Sequence, residues 1–144
     1  MSHTTREILE YAKTVAVVGA SRDPGKPSGH IPYLLQHRGF RIIPVNPNTE
    51  VLLGERSYGS LLEIKEPVDV VEVFRPAADA PGIARQAVAI GARALWLQFG
   101  IRSEEARAVA ESAGMDYVED LCMGRESSRL AIAKQHVTRL TRQS

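Results

Sequence analysis

The sequence predicts an α/β fold, a single doubly wound parallel sheet of about five strands flanked by helices. Two observations carry that expectation. Short aliphatic and β-branched runs alternate with segments of helical spacing from one end of the chain to the other, joined by short connections. The runs are apolar on consecutive residues, not on alternate ones, as a strand must be when helical layers cover both of its faces. A length of 144 residues suits one domain with a core large enough to fold unaided, so residues 1–144 are taken as one unit.

Each element has a local reason. Thr4 and Glu7 stand at the spacing of a capping box, so residues 2–11 read as a short capped helix. Thr14–Val18 is the first strand, and Gly19 ends it. Residues 31–37 place Ile31, Leu34 and Leu35 on one helical face, with Gly39 as the stop. Arg41–Val45 is the second strand, although Pro44 removes a ladder donor. Residues 53–58 read as a connector, and residues 60–64 as at most a short helix. A third strand spans residues 68–74, closed by Arg75-Pro76. A helix follows over residues 81–90, stopped by Gly91. Residues 94–98 form the fourth strand. Ser103 caps a helix to Ala113, with Glu104 and Glu105 in the first turn where the helix dipole favours carboxylates. Asp116–Val118 is a short fifth strand, and residues 128–140 are expected to close the fold as a helix.

Composition narrows the function classes. Eighteen basic residues against seventeen acidic ones leave a net charge of +1, which gives no electrostatic reason to expect nucleic acid or a membrane surface as partner. The single cysteine, Cys122, rules out an intrachain disulfide. The start of the chain lacks the basic-then-apolar pattern of a signal peptide, and no run approaches the roughly 18–20 apolar residues that span a bilayer. The expectation is a cytoplasmic protein.

In an open parallel sheet, ligands bind beyond the carboxyl ends of the strands, near the point where strand order reverses. The residues that follow each strand are therefore the candidates. After the first strand come Gly19, Ala20, Ser21, Arg22 and, further on, Lys26. The glycine permits a sharp turn, and the following helix start offers unpaired amides to an anion. A plain strand-to-helix turn would also use that glycine. A dinucleotide fingerprint needs a second glycine where Ala20-Ser21 stands. After the second strand, Val45-Asn46-Pro47 has no acid to hold a ribose. Asn46 either meets a base or sugar edge or simply makes an Asn-Pro turn. After the third, Phe74, Arg75 and Pro76 put a ring and a guanidinium together, suited to an adenine and a phosphate, though Phe74 equally suits core packing. After the fourth come Gln98, a polar side chain expected to face the crevice, and Phe99.

Trp96, in mid-strand, reads as core, and Cys122 as a small hydrophobe instead of a nucleophile. His3, His30, His37 and His136 lack metal-ligand spacing. Asp116, Glu119 and Asp120 read as a solvated loop. No catalytic constellation emerges.

Taken in order, Val15-Ala16-Val17-Val18-Gly19-Ala20-Ser21, Pro44-Val45-Asn46-Pro47, Asp69-Val70-Val71 leading to Phe74-Arg75-Pro76, Leu97-Gln98-Phe99-Gly100 and Glu119-Asp120-Leu121-Cys122-Met123 resemble a known family. They are similar to the small stand-alone CoA-binding proteins, whose domain resembles that of the succinyl-CoA synthetase α subunit. The resemblance covers roughly residues 10–130. It implies a Rossmann-like fold and coenzyme A, or an acyl-CoA, across the sheet's carboxyl edge. Gly19, Ala20, Ser21 and the loop to Lys26 would then hold pyrophosphate, and Asn46 and Pro47 would flank the adenosine half. Phe74, Arg75 and Pro76 would line the crevice, with Gln98 and Phe99 toward the pantetheine arm. The synthetase's phosphorylated histidine lies in a following domain, and none of the four histidines here matches it. The expected function is thus CoA binding without catalytic apparatus. An NAD(P)-binding oxidoreductase-like domain is the alternative.

Overall fold

The computed structural model describes residues 2–134. Helix α1 (Thr5–Tyr11) carries the capping box: Glu7 N donates to Thr4 Oγ1 at 3.1 Å, and Thr4 N to Glu7 Oε1 at 2.8 Å. Strand β1 (Thr14–Val18), helix α2 (Pro27–His37) and strand β2 (Arg41–Val45) follow. Next comes a hairpin of β3 (Val51–Leu52) and β4 (Glu55–Arg56). Strand β5 (Val70–Val73), helix α3 (Ala80–Ala89), strand β6 (Ala94–Leu97), helix α4 (Glu104–Ser112), strand β7 (Asp116–Val118) and helix α5 (Met123–Arg129) complete the order.

The main sheet is parallel, with strand order β2-β1-β5-β6-β7. Chain order reverses between β1 and β5, which makes that gap the switch point of a doubly wound, Rossmann-like sheet. Alternate residues of each strand serve opposite cores. Ala16, Ile43, Val71, Val73, Leu95 and Leu97 face the small residues of α3 and α4, among them Ala84, Ala87, Ala106 and Ala110. Val15, Val17, Ile42, Val70 and Trp96 face Ile8 and Leu9 of α1, Leu35 of α2 and Met123 of α5. Trp96 is fully buried, as expected of core, and its indole N–H donates to Leu121 O at 2.8 Å.

Pro44 is accommodated because β2 is an edge strand. Its carbonyl and the Asn46 N–H point outward to Tyr58 (3.0 and 2.8 Å), so the missing Pro44 donor also lies on the outer side, away from β1.

Four expectations are corrected. Helix α2 starts at Pro27 rather than at residue 31, because proline is well suited to a first helical position. The stretch expected as a connector instead holds the turn and second strand of a hairpin that starts at Val51; its two turn residues, Leu53 (φ 55°) and Gly54 (φ 73°), both adopt the left-handed conformation. Among the described residues the last helix is α5, which begins earlier than the expected one and is capped at Leu130; Ala131 then turns to φ 55°. The rest of the expected segment, with His136, lies outside the described residues. Asp116 is not solvated. It is buried and accepts from His3 N (3.0 Å), the His3 ring (2.7 Å) and Tyr11 Oη (2.9 Å), tying the N-terminal segment to edge strand β7.

Candidate functional site

The loop from β1 to α2 is built by two devices. Pro32, inside α2, has no N–H to give the carbonyl four residues before it, that of Ser28. The Ser21 N–H takes that carbonyl instead, at 3.0 Å, and pins the loop to the first turn of the helix. Gly29 lets the two backbones meet: a Cβ there would lie 2.1 Å from Asp23 O and 2.9 Å from Ser21 O. Asp23 tightens the turn through Oδ1, which accepts from Gly25 N at 2.9 Å. Lys26 occupies the N-cap position of α2, with no side-chain cap bond, beside the positive end of the helix dipole.

On the other side of the switch point, Phe74 N donates to Val18 O at 2.9 Å, continuing the β1–β5 ladder past the strand ends. Gly19 (φ +88°) turns there, and its missing side chain leaves room for the Arg75 stem, whose Cδ would lie 3.2 Å from an added Cβ. Asn46 braces the third side: its Nδ2 donates to Ala20 O and its Oδ1 accepts from Asn48 N, both at 2.8 Å. Both ends of this amide are therefore engaged by backbone.

These corners enclose a crevice of about 700 Å³, within the size range of small-molecule sites. Gly19, Ala20, Ser21, Lys26, Val45, Asn46, Pro47, Phe74 and Arg75 all line it. Arg22 instead lines a neighbouring cleft between α2 and the hairpin. Pro76 is exposed and precedes a short 3-10 turn, Ala77–Asp79, and Phe99 is 75% exposed beyond the end of β6; neither lines the crevice. The wall also contains Ser28, Asn48, Ser60, Asp79 and Gln86, which the strand-end reading did not single out. Its charged side chains are the cations Lys26 and Arg75 and the carboxylate of Asp79.

Gln98 departs most from expectation. It is 4% exposed, and its Nε2 donates inward to Glu72 Oε2. Glu72 lies fully buried in central strand β5, paired in register with Trp96. Gln98 is two residues beyond Trp96 on the same face, hence diagonal to Glu72. Burial pushes the Glu72 carboxyl up to about 8, with the Gln98 hydrogen bond pulling the other way. Its Oε1 has no hydrogen-bond partner among the described residues. The other carboxylates near the sheet edge close loops. Asp120 (φ 55°) accepts from Gly100 N at 2.7 Å and Arg102 Nη2 at 2.6 Å, and Glu119 accepts from Tyr117 Oη at 2.7 Å.

Residues 13–128 match the family model described as a CoA binding domain. The chain belongs to the CoA-binding domain family. The match takes in the whole crevice and ends inside α5. The chain is 38% identical over 118 residues to the uncharacterized protein YneT of Bacillus subtilis, covering 82% of this chain and 87% of that one. It is 37% identical over 136 residues to the ADP-forming acetate–CoA ligase II of Archaeoglobus fulgidus, covering 92% of this chain but only 18% of the ligase. Among solved structures, the Thermus thermophilus protein cell-free ID.343 superposes with a TM-score of 0.84 at 38% identity, over 89% of this chain and 99% of that one. A hypothetical protein from Pyrococcus horikoshii gives 0.85 at 33% identity, over 91% and 99%. The CoA-binding domain thus occurs both in small proteins of this length and as a minor part of a much longer ligase. Among the described residues, no helix is long and apolar enough to cross a membrane.

Proposed function

We propose that this chain binds coenzyme A, free or acylated, in the crevice at the β1/β5 switch point. The observation that carries the reading is the convergence of the corners after β1, β2 and β5 on one crevice with Lys26 and Arg75 in its wall, in a chain of the CoA-binding domain family. Coenzyme A presents phosphates, an adenine and a long thiol arm. Lys26, Arg75 and the start of α2 offset the phosphate charge. Pro47 and the neighbouring end of β2 flank the adenosine half, and the Phe74 ring contributes apolar surface. Phe99 remains as the side chain for the pantetheine arm to lie against. Gln98, turned inward onto Glu72, has no direct part in this reading. In this reading residues 1–144 act as one cytoplasmic ligand-binding module, and the chemistry on the thiol belongs to another protein.

Calorimetric titration with CoA, NAD and NADP tests the proposal. Binding of CoA alone is the expected outcome, and tight NADP binding without CoA binding would replace it with an oxidoreductase-like reading. The ionic contribution is checked separately. Lys26→Ala or Arg75→Ala is expected to weaken CoA binding about tenfold at low ionic strength, about 1.4 kcal/mol. The loss should shrink at about 0.5 M salt, where screening is short-ranged. Equal losses at both salt levels would contradict an ionic role.

A further inference from the structure

Asp79 is the carboxylate in the wall of a crevice that otherwise favours anions. Its position is set by the 3-10 turn Ala77–Asp79, which brings it one helical turn beyond Arg75. It immediately precedes α3 with a helical backbone (φ −86°, ψ −14°) continued from the 3-10 turn, unlike the extended backbone of a capping residue, and its side chain makes no cap bond. Instead both Arg75 Nε (3.1 Å) and Arg75 Nη2 (2.9 Å) donate to Asp79 Oδ2. The side of the guanidinium fork best suited to a phosphate is therefore already occupied by a carboxylate.

We propose that Asp79 is a specificity-determining residue of the crevice, holding the Arg75 fork until a phosphate group displaces it. This rests on the reading of the crevice as an anion site for coenzyme A. The pair sets a threshold: a ligand gains Arg75 only by bringing a phosphate that outcompetes the aspartate. Uncharged or weakly charged ligands meet Arg75 already neutralised and gain nothing from it. Asp79 acts through Arg75 and need not touch the ligand.

The test is a double-mutant cycle in the full chain, read by titration with CoA and separately with inorganic pyrophosphate at low salt. Asp79→Asn, which keeps the shape and removes the charge, is expected to bind both probes about two- to fivefold tighter, the range of an exposed ion pair. In the Arg75→Ala background the same substitution should change affinity by less than that. Asp79→Ser, which removes the charge with a small polar side chain, should reproduce the gain and covers the case in which the asparagine variant folds poorly. No gain with either probe overturns the proposal, as does an equal gain with and without Arg75. Wild-type protein that fails to bind CoA removes the coenzyme reading alone, provided an Arg75-dependent gain for pyrophosphate persists.

Discussion

Gly29→Ala is expected to destabilise the chain by about 2–4 kcal/mol, the range of a substitution that forces backbone to move in a packed region. The new methyl would stand 2.1 Å from the Asp23 carbonyl oxygen, far inside van der Waals contact, and the obstacle is backbone rather than a yielding side chain. Relief requires either lifting the β1–α2 loop from the helix or breaking the Ser21 N to Ser28 O bond that pins it. Both displace Ser21 and Lys26 from the crevice wall, so CoA binding should fall together with stability. Gly82, within α3, has nothing within 4 Å of an added Cβ. There Gly82→Ala should stabilise by up to about 1 kcal/mol through helix propensity. Urea denaturation of the two variants beside the wild type checks both signs. A neutral Gly29→Ala would mean that the loop does not hold this conformation.

Glu72→Gln carries the other large effect, and its sign depends on pH. The folded-state carboxyl titrates at about 8 against an ordinary value of 4.5. Folding therefore keeps the proton on Glu72 throughout that interval, whereas the unfolded chain releases it. The stability of the wild type should be greatest below about pH 4.5 as far as this group is concerned. It should fall between there and pH 8 with a slope approaching 1.4 kcal/mol per pH unit. Glutamine keeps the shape and cannot ionise. At pH 8 the variant should be more stable by roughly 4 kcal/mol, and the advantage should vanish as the pH falls to about 4.5. Unfolding free energies of both proteins between pH 5 and pH 9 decide the matter. Their difference cancels the other titrating groups, and curves that run parallel would show that Glu72 does not hold its proton.

Most of the fold was legible because continuous apolar runs such as Thr14–Val18 leave few alternatives to a strand covered on both faces. The β1 and β5 corners were legible for a related reason: the order of elements places them at the carboxyl edge. What escaped was set by pairing across the sheet or by close backbone approach. Glu72 lies inside an apolar run, and Gln98 stands at a strand end, where a polar side chain is free to face the crevice. Only the register of β5 and β6 makes them diagonal neighbours on one buried face. A carboxylate inside a strand covered on both faces was the signal available. Gly29 was hidden because its need comes from Asp23 and Ser21 pressing on it, not from a turn of its own. The hairpin rests on a leucine in a left-handed conformation, which no residue preference foretells.

The proline in the outer strand bears on how such domains coexist at high concentration. An exposed strand invites another molecule to extend the sheet, because its outward row of donors and acceptors is a template. Here that row lacks one donor at Pro44, and Tyr58 already satisfies the carbonyl of that residue and the amide two positions on. The opposite border, β7, offers only the stretch Asp116–Val118. Neither border presents a long, regular template to a neighbouring chain. The sheet therefore resists growing into an intermolecular one.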